Sequence, residues 1–156
     1  STIDEMHNDM HLKPISIHLL IDQIIENTSN SHKLINSVPK DLIVNGDDFY
    51  FISLFQNLLD NAQKYSPDGS EINFYLKENP IKNIICISDQ GIGISDKEKS
   101  KIFDRFYRIE DEETRNSKGT GLGLFLVNQI IKIHGGKIYC KDNSPNGAIF
   151  EIHLKK

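Results

Sequence analysis

Apolar residues recur at helical spacing in three places along the chain. Ile17, Leu20, Ile21, Ile24 and Ile25 follow Ser16, a good N-cap, and the pattern stops in the polar cluster Asn27 to Ser31. Phe51, Phe55, Leu58, Leu59 and Ala62 form the stripe of a second helix. Asp47 caps it, it runs to about Tyr65, and Pro67-Asp68-Gly69 ends it. Leu124, Val127, Ile130 and Ile131 share one face of a third, long helix, opened by Gly119 to Gly123 and closed by Gly135-Gly136. A short helix is expected at Asp96–Arg105.

Between these lie strand patterns. Short strands are expected at Lys33–Val38 and Leu42–Val44, with Asn45-Gly46 as a turn. Ile72, Phe74 and Leu76 alternate, which marks a half-buried strand. Ile84-Ile85-Cys86-Ile87 is continuous and reads as a strand covered on both faces, joined to the first at Asn79-Pro80. Lys137–Lys141 and Ala148–Leu154 finish the chain as a hairpin around Asn146-Gly147. Helices interspersed with hairpins predict an α/β (α+β) two-layer sandwich with a mixed sheet, not a doubly wound parallel one. Residues 1–14 carry no such pattern and read as a tail or the end of a preceding element.

The chain has 156 residues, which suits one domain. Its net charge of −4 argues against a general nucleic-acid binder or a polybasic membrane module, so an anionic ligand must be met by local positive charge or backbone N–H groups. No run of apolar residues is long enough to span a membrane, and Ser1 to His11 lacks the apolar core of a signal peptide. Cys86 and Cys140 sit inside apolar runs, which favours buried thiols in a reducing compartment over a disulfide. The sequon at Asn27-Thr28-Ser29 then carries no weight.

Three strings carry candidate chemistry. On the second helix, Asn57, Asn61 and Lys64 lie at i, i+4 and i+7, roughly opposite the apolar stripe. Asparagine is a poor helix former, so two on one line stand out, and their amide oxygens suit a hard cation such as Mg²⁺. A solvated face is the plainer reading, above all for Lys64. Asp89-Gln90-Gly91-Ile92-Gly93 follows the buried strand directly. Its carboxylate suits an amino group on a base, and its glycines let backbone approach a ligand; a turn capped by Asp fits the string equally well. Gly119-Thr120-Gly121-Leu122-Gly123 at a helix N-terminus exposes several N–H groups where the helix dipole is positive, which makes a phosphate site. It matches neither a P-loop nor a dinucleotide fingerprint, and a glycine-rich hinge is the alternative. The charged stretch Asp111 to Lys118 reads as a solvated loop or a lid, and Arg105, Arg108, Arg115 and Lys118 are candidates to meet phosphates. Phe103, Phe106 and Tyr107 read as core or lid anchors. There is no H-E-x-x-H, C-x-x-C or G-x-S-x-G, and the six histidines show no metal-ligand spacing.

Taken in order, these strings resemble the four boxes of sensor histidine kinases. Asn57 to Ser66 resembles the N box, Asp89 to Ile94 the G1 box, Ile102 to Arg108 the F box and Gly119 to Leu124 the G2 box, while Ile133-His134-Gly135-Gly136 is similar to the family's helix ending. The resemblance implies the Bergerat ATP-binding fold: a mixed, mostly antiparallel sheet with helices on one face and ATP between them under a lid. It implies an ATP-binding catalytic domain at 12–156, with 1–11 as a tail or the end of a preceding helical domain.

The roles it implies are specific. Asn61 ligates Mg²⁺ and Asn57 supports it. Lys64 reaches the phosphates and Tyr65 lines the pocket. Asp89 accepts from the adenine amino group, and Gly91 and Gly93 admit the base. Gly119, Thr120, Gly121, Leu122 and Gly123 form the hinge and phosphate-facing turn. Arg105 or Arg108 contacts the γ-phosphate or a docked acceptor domain. The implied partners are ATP, a dimerisation and histidine-acceptor domain, and a response regulator downstream. No nucleic acid or direct membrane contact is implied, and the location is the cytoplasmic part of a membrane-bound sensor.

One departure from the family pattern bears on activity. The phosphoacceptor run is missing: His7, in Glu5-Met6-His7-Asn8-Asp9, does not fit it, nor does His11. The expectation is a detached catalytic domain, monomeric, that needs its acceptor from elsewhere. The alternatives are an ATPase of the gyrase, mismatch-repair or heat-shock chaperone branch, an anti-sigma-type serine kinase, and a nucleotide-sensing module without transfer. The ATPase branch places a Glu one helical turn before the metal-binding Asn. Asn57 stands there and cannot act as a base. The string Phe103 to Arg108 favours the histidine branch over the serine kinases.

Overall fold

The computed structural model describes residues 3–28, 31–107 and 123–156. In chain order these form α1 (Ile3–Asn8), β1 (Lys13–Ser16), α2 (Ile17–Glu26), β2 (Lys33–Asn36), β3 (Ile43–Gly46), α3 (Asp48–Tyr65), β4 (Glu71–Lys77), β5 (Lys82–Ser88), α4 (Gly123–Ile133), β6 (Lys137–Asp142) and β7 (Ala148–Lys155). The caps are the ones expected. Ser16 Oγ accepts from the Leu19 N–H at the start of α2, and Asp47 accepts from the Tyr50 N–H at the start of α3. Past α4, Gly135 takes φ +75°, a left-handed conformation that suits glycine.

Five strands make the main sheet in the order β2-β4-β5-β7-β6. Only β2 and β4 run parallel; the other three pairs are antiparallel. One face carries the core. Ile72, Phe74, Ile85, Ile87, Phe150 and Ile152 meet the apolar stripes of α2, α3 and α4 in a single cluster. Phe55 of α3 packs edge-on against Phe74 at 6.3 Å between ring centres. This is the mixed, mostly antiparallel two-layer arrangement that the sequence predicts.

β5 sits at the centre of the sheet and is buried on both sides, as its continuous apolar run predicts. On the side away from the core cluster, Cys86 is flanked across the ladder by Tyr75 and Glu151. Burial pushes its thiol up to about 11. Cys140 pairs with Phe150 and so projects from the opposite face of the sheet to Cys86. Both cysteines are free, as expected.

Three expectations need correction. Asn45-Gly46 is not a turn: both residues lie in β3, paired with Pro14 and Lys13 of β1 in a separate two-stranded ribbon. The glycine is there for close packing, since a Cβ on Gly46 would stand 2.4 Å from the Phe51 ring. The same ribbon takes residues 13 and 14 out of the expected tail, and Met6 of α1 is buried against the core. Finally, Asp96–Arg105 is a run of turns rather than a helix. Its backbone bonds alternate between three-residue spans (Glu98 to Ser95, Lys101 to Glu98, Asp104 to Lys101) and four-residue ones (Lys99 to Ser95, Ile102 to Glu98). With only Ile102 fully buried, no apolar stripe draws it into regular α-helix.

Candidate nucleotide site

β5 delivers Asp89 to the end of the sheet, where the side chain is only 4% exposed. Burial pushes its carboxyl above the ordinary carboxylate range, and two backbone donors oppose that shift. The N–H groups of Gly91, at 2.9 Å, and Ala148, at 3.2 Å, both donate to Oδ1. Oδ2 accepts neither of these two bonds.

The loop that follows is held from two sides. The Ile92 N–H donates to the Tyr65 carbonyl at 3.4 Å. A Cβ on Gly91 would stand 2.2 Å from that same carbonyl oxygen, so only glycine fits. From the other side comes the turn between β6 and β7. Asn143 Nδ2 donates to the Asp89 carbonyl at 2.7 Å, and Asn146 Nδ2 donates to the carbonyls of Gln90 and Gly91. Gly147, at φ +106°, passes so close that a Cβ there would lie 2.0 Å from the Asp89 carbonyl oxygen.

α3 brings the second group of residues. Asn57 donates its amide nitrogen to the Ser53 carbonyl at 2.7 Å, which turns its oxygen outward. That oxygen faces the first residue of α4: a Cβ on Gly123 would stand 3.1 Å from it. The N-box helix and the end of the glycine-rich string are thus in contact. Asn61, one turn on, is half-buried, and its amide makes no hydrogen bond among the described residues. The Lys64 ammonium lies 5.2 Å over the ring of Tyr65, the last residue of the helix. Among the described residues no three of His, Cys, Asp or Glu are grouped to hold a metal. The amide oxygens of Asn57 and Asn61 are hard donors, of the kind that suits Mg²⁺ rather than zinc.

The turn segment leading to Tyr107 packs against β7 and α4. Phe103 packs edge-on against Phe150, and the Tyr107 hydroxyl donates to Glu98 at 2.7 Å, so both are anchors as expected. Phe106 instead is 63% exposed and takes φ +65°, rare for a residue with a Cβ. Arg105 stacks its guanidinium 4.8 Å over Phe125, which docks the segment on α4. Arg108, Gly119, Thr120, Gly121 and Leu122 lie outside the described residues.

Tyr65, Asp89, Gly91 and Gly93 therefore meet at one end of the sheet, while Asn57, Asn61 and Lys64 lie on the helix that ends at Tyr65, with Gly123 against Asn57. Sequence reasoning missed the clamp formed by Asn143, Asn146 and Gly147. The Asn-Gly pair was legible as a hairpin turn, but nothing local shows that its side chains reach back to the Asp89 loop.

Residues 46–156 match the model of the histidine kinase-, DNA gyrase B- and HSP90-like ATPases. The chain belongs to this ATPase family. It is 43% identical to sensor protein CiaH of Streptococcus pneumoniae over 108 residues, 69% of this chain and 24% of that protein. It is 34% identical to sensor protein kinase WalK of Staphylococcus aureus over 160 aligned positions, 99% of this chain and 39% of that protein. The chain thus spans well under half the length of these curated relatives. Among solved structures it is similar to a mycobacterial sensor histidine kinase, MprB. The TM-score is 0.80 at 29% identity, over 93% of this chain and 97% of that one. The resemblance to sensor histidine kinases carried by the four strings stands. Among the described residues no helix of this ATPase-family chain is long and apolar enough to cross a membrane.

Proposed function

We propose that this domain binds ATP with Mg²⁺ and passes the γ-phosphate to a histidine on a separate dimerisation and acceptor domain, as the cytoplasmic kinase part of a two-component sensor. The observation that carries the reading is the pairing of two distinct ends in one site. A buried carboxylate with one uncommitted oxygen stands at the end of β5, and a polar line of Asn57, Asn61 and Lys64 runs along α3 beside the start of α4.

At the base end, Asp89 Oδ2 accepts from the amino group of adenine, while Gly91 and Gly93 keep side chains out of its plane. At the phosphate end, Lys64 offers a positive charge and the first turn of α4 offers N–H groups. Asn61 would hold Mg²⁺, which when bound neutralises phosphate charge. Asn57 keeps the start of α4 and the metal-binding face in register. Since Asn57 cannot take a proton from water, transfer to an imidazole is favoured over hydrolysis. The acceptor imidazole must arrive neutral and in line with the leaving oxygen.

The test mixes this chain with γ-labelled ATP and a separately prepared acceptor-helix domain. Acid-labile label on that domain is the expected result. Nucleotide binding with no label on any histidine would leave a sensing module instead.

A further inference from the structure

The segment Ser95–Tyr107 and the turn after β6 are far apart in sequence, and Lys99 joins them. Its Nζ contacts Asp96 Oδ1 and lies 2.7 Å from Asp142 Oδ1, with the lysine side chain only 18% exposed. Asp142 is the last residue of β6. The next residue, Asn143, donates its backbone N–H to Gly147 and its side chain to the Asp89 carbonyl. A continuous chain of contacts therefore runs from the Lys99 ammonium to the loop that presents Asp89.

We propose that Lys99 is a positioning residue for base recognition: through Asp142 it fixes the β6–β7 turn, and through that turn it fixes the loop carrying Asp89. This rests on the nucleotide reading above and adds a residue to it. An isolated surface ion pair contributes little to stability. Lys99 differs because one ammonium neutralises two carboxylates brought in by different segments. Asp96 and Asp142 are themselves largely exposed, so the effect comes from losing the tie: without Lys99 the strand end that Asn143 extends is no longer held to the Ser95–Tyr107 segment. The effect then falls on the orientation of Asp89 more than on folding.

Selectivity reads that orientation directly. Guanine presents an oxygen acceptor where adenine presents an amino donor, so a well-aimed carboxylate favours ATP over GTP. Affinities for both nucleotides are measured by calorimetry on the full chain. Lys99→Met is expected to weaken ATP by about fivefold, the low end of site-to-site coupling, and to narrow the ATP-to-GTP ratio. Lys99→Arg should restore both. Asp142→Asn, which removes the other partner of the tie, should narrow the ratio as well. It also decides the matter if Lys99→Met does not fold. An unchanged ratio in the folded variants would overturn the role of Lys99 while leaving the nucleotide site intact. A parent chain that binds neither nucleotide would sink the site itself, and this role with it.

Discussion

The backbone N–H of Asp47 donates to Nε2 of His134 at 3.1 Å, tying the start of α3 to the end of α4 across 87 residues. The other ring nitrogen, Nδ1, lies 2.7 Å from the Ile130 carbonyl and so carries the proton. The ring also stacks 4.5 Å from Phe51. Both nitrogens are committed only when the imidazole is neutral, and burial holds its pKa below the ordinary value of 6.5.

The sign of the pH effect follows. Stability from this contact is full above the ordinary histidine pKa and is lost as pH falls through the lowered folded value. His134→Ala should cost about 1–3 kcal/mol near pH 7.5, because the Asp47 N–H is left without its acceptor. The gap between variant and parent in urea unfolding should shrink below pH 6. A gap that stays constant from pH 8 to 5 would show that the ring acts by packing alone.

Asp89→Asn should fold normally and lose ATP. The Asn oxygen can keep the bonds from Gly91 and Ala148, but a donor then faces the adenine amino group. A loss of about 100-fold or more is expected from a charged acceptor turned into a donor. Because burial raises the Asp89 carboxyl, ATP affinity in the parent should also fall at a higher pH than an ordinary carboxylate would dictate. Calorimetry across pH, with melting curves as the control, checks both.

Asn61→Ala should remove the Mg²⁺-dependent part of ATP affinity and leave the melting temperature within a few degrees. Asn61 is half-buried and makes no hydrogen bond among the described residues, so its loss leaves little unsatisfied in the fold. Titrations with Mg²⁺ and with EDTA should differ in the parent and coincide in the variant. A persistent metal effect in Asn61→Ala would move the ion to other oxygens.

Gly147→Ala should be costly, because the residue is buried. The new Cβ would meet the Asp89 carbonyl oxygen at 2.0 Å, in a backbone conformation that suits glycine. A cost of about 1–3 kcal/mol is expected from the strained backbone. ATP binding should fall with it, since the displaced atom belongs to Asp89, the residue proposed to read the base. Gly69→Ala is the matched control: its φ is +82°, but its Cβ would meet nothing within 4 Å. It should lose stability without selective loss of ATP.

Local signals and their limits explain what the sequence disclosed. The α3 stripe with its Asp47 cap, the alternation of β4 and the unbroken run of β5 are short-range patterns, and each became the element expected. Asp89 stood out because it directly follows a buried strand, and the structure shows the Asp-capped turn that the string equally allowed, with the Gly91 N–H donating to its Oδ1. Asn45-Gly46 misled because glycine serves turns and tight packing alike, and only the distant Phe51 ring decides which. Lys99, Asn143 and His134 were invisible as site or framework residues because their partners lie 43 to 87 residues away. No periodicity carries that information.

The last carbonyl of α3, at Tyr65, touches the base loop, while Asn61 stands four residues earlier on the same helix. A rise of about 1.5 Å per residue makes that separation roughly 6 Å along a rigid rod. On the nucleotide reading proposed above, the helix would lie beside the ligand as a ruler, and a nucleotide with a shorter tail is expected to reach one end of the scale but not both.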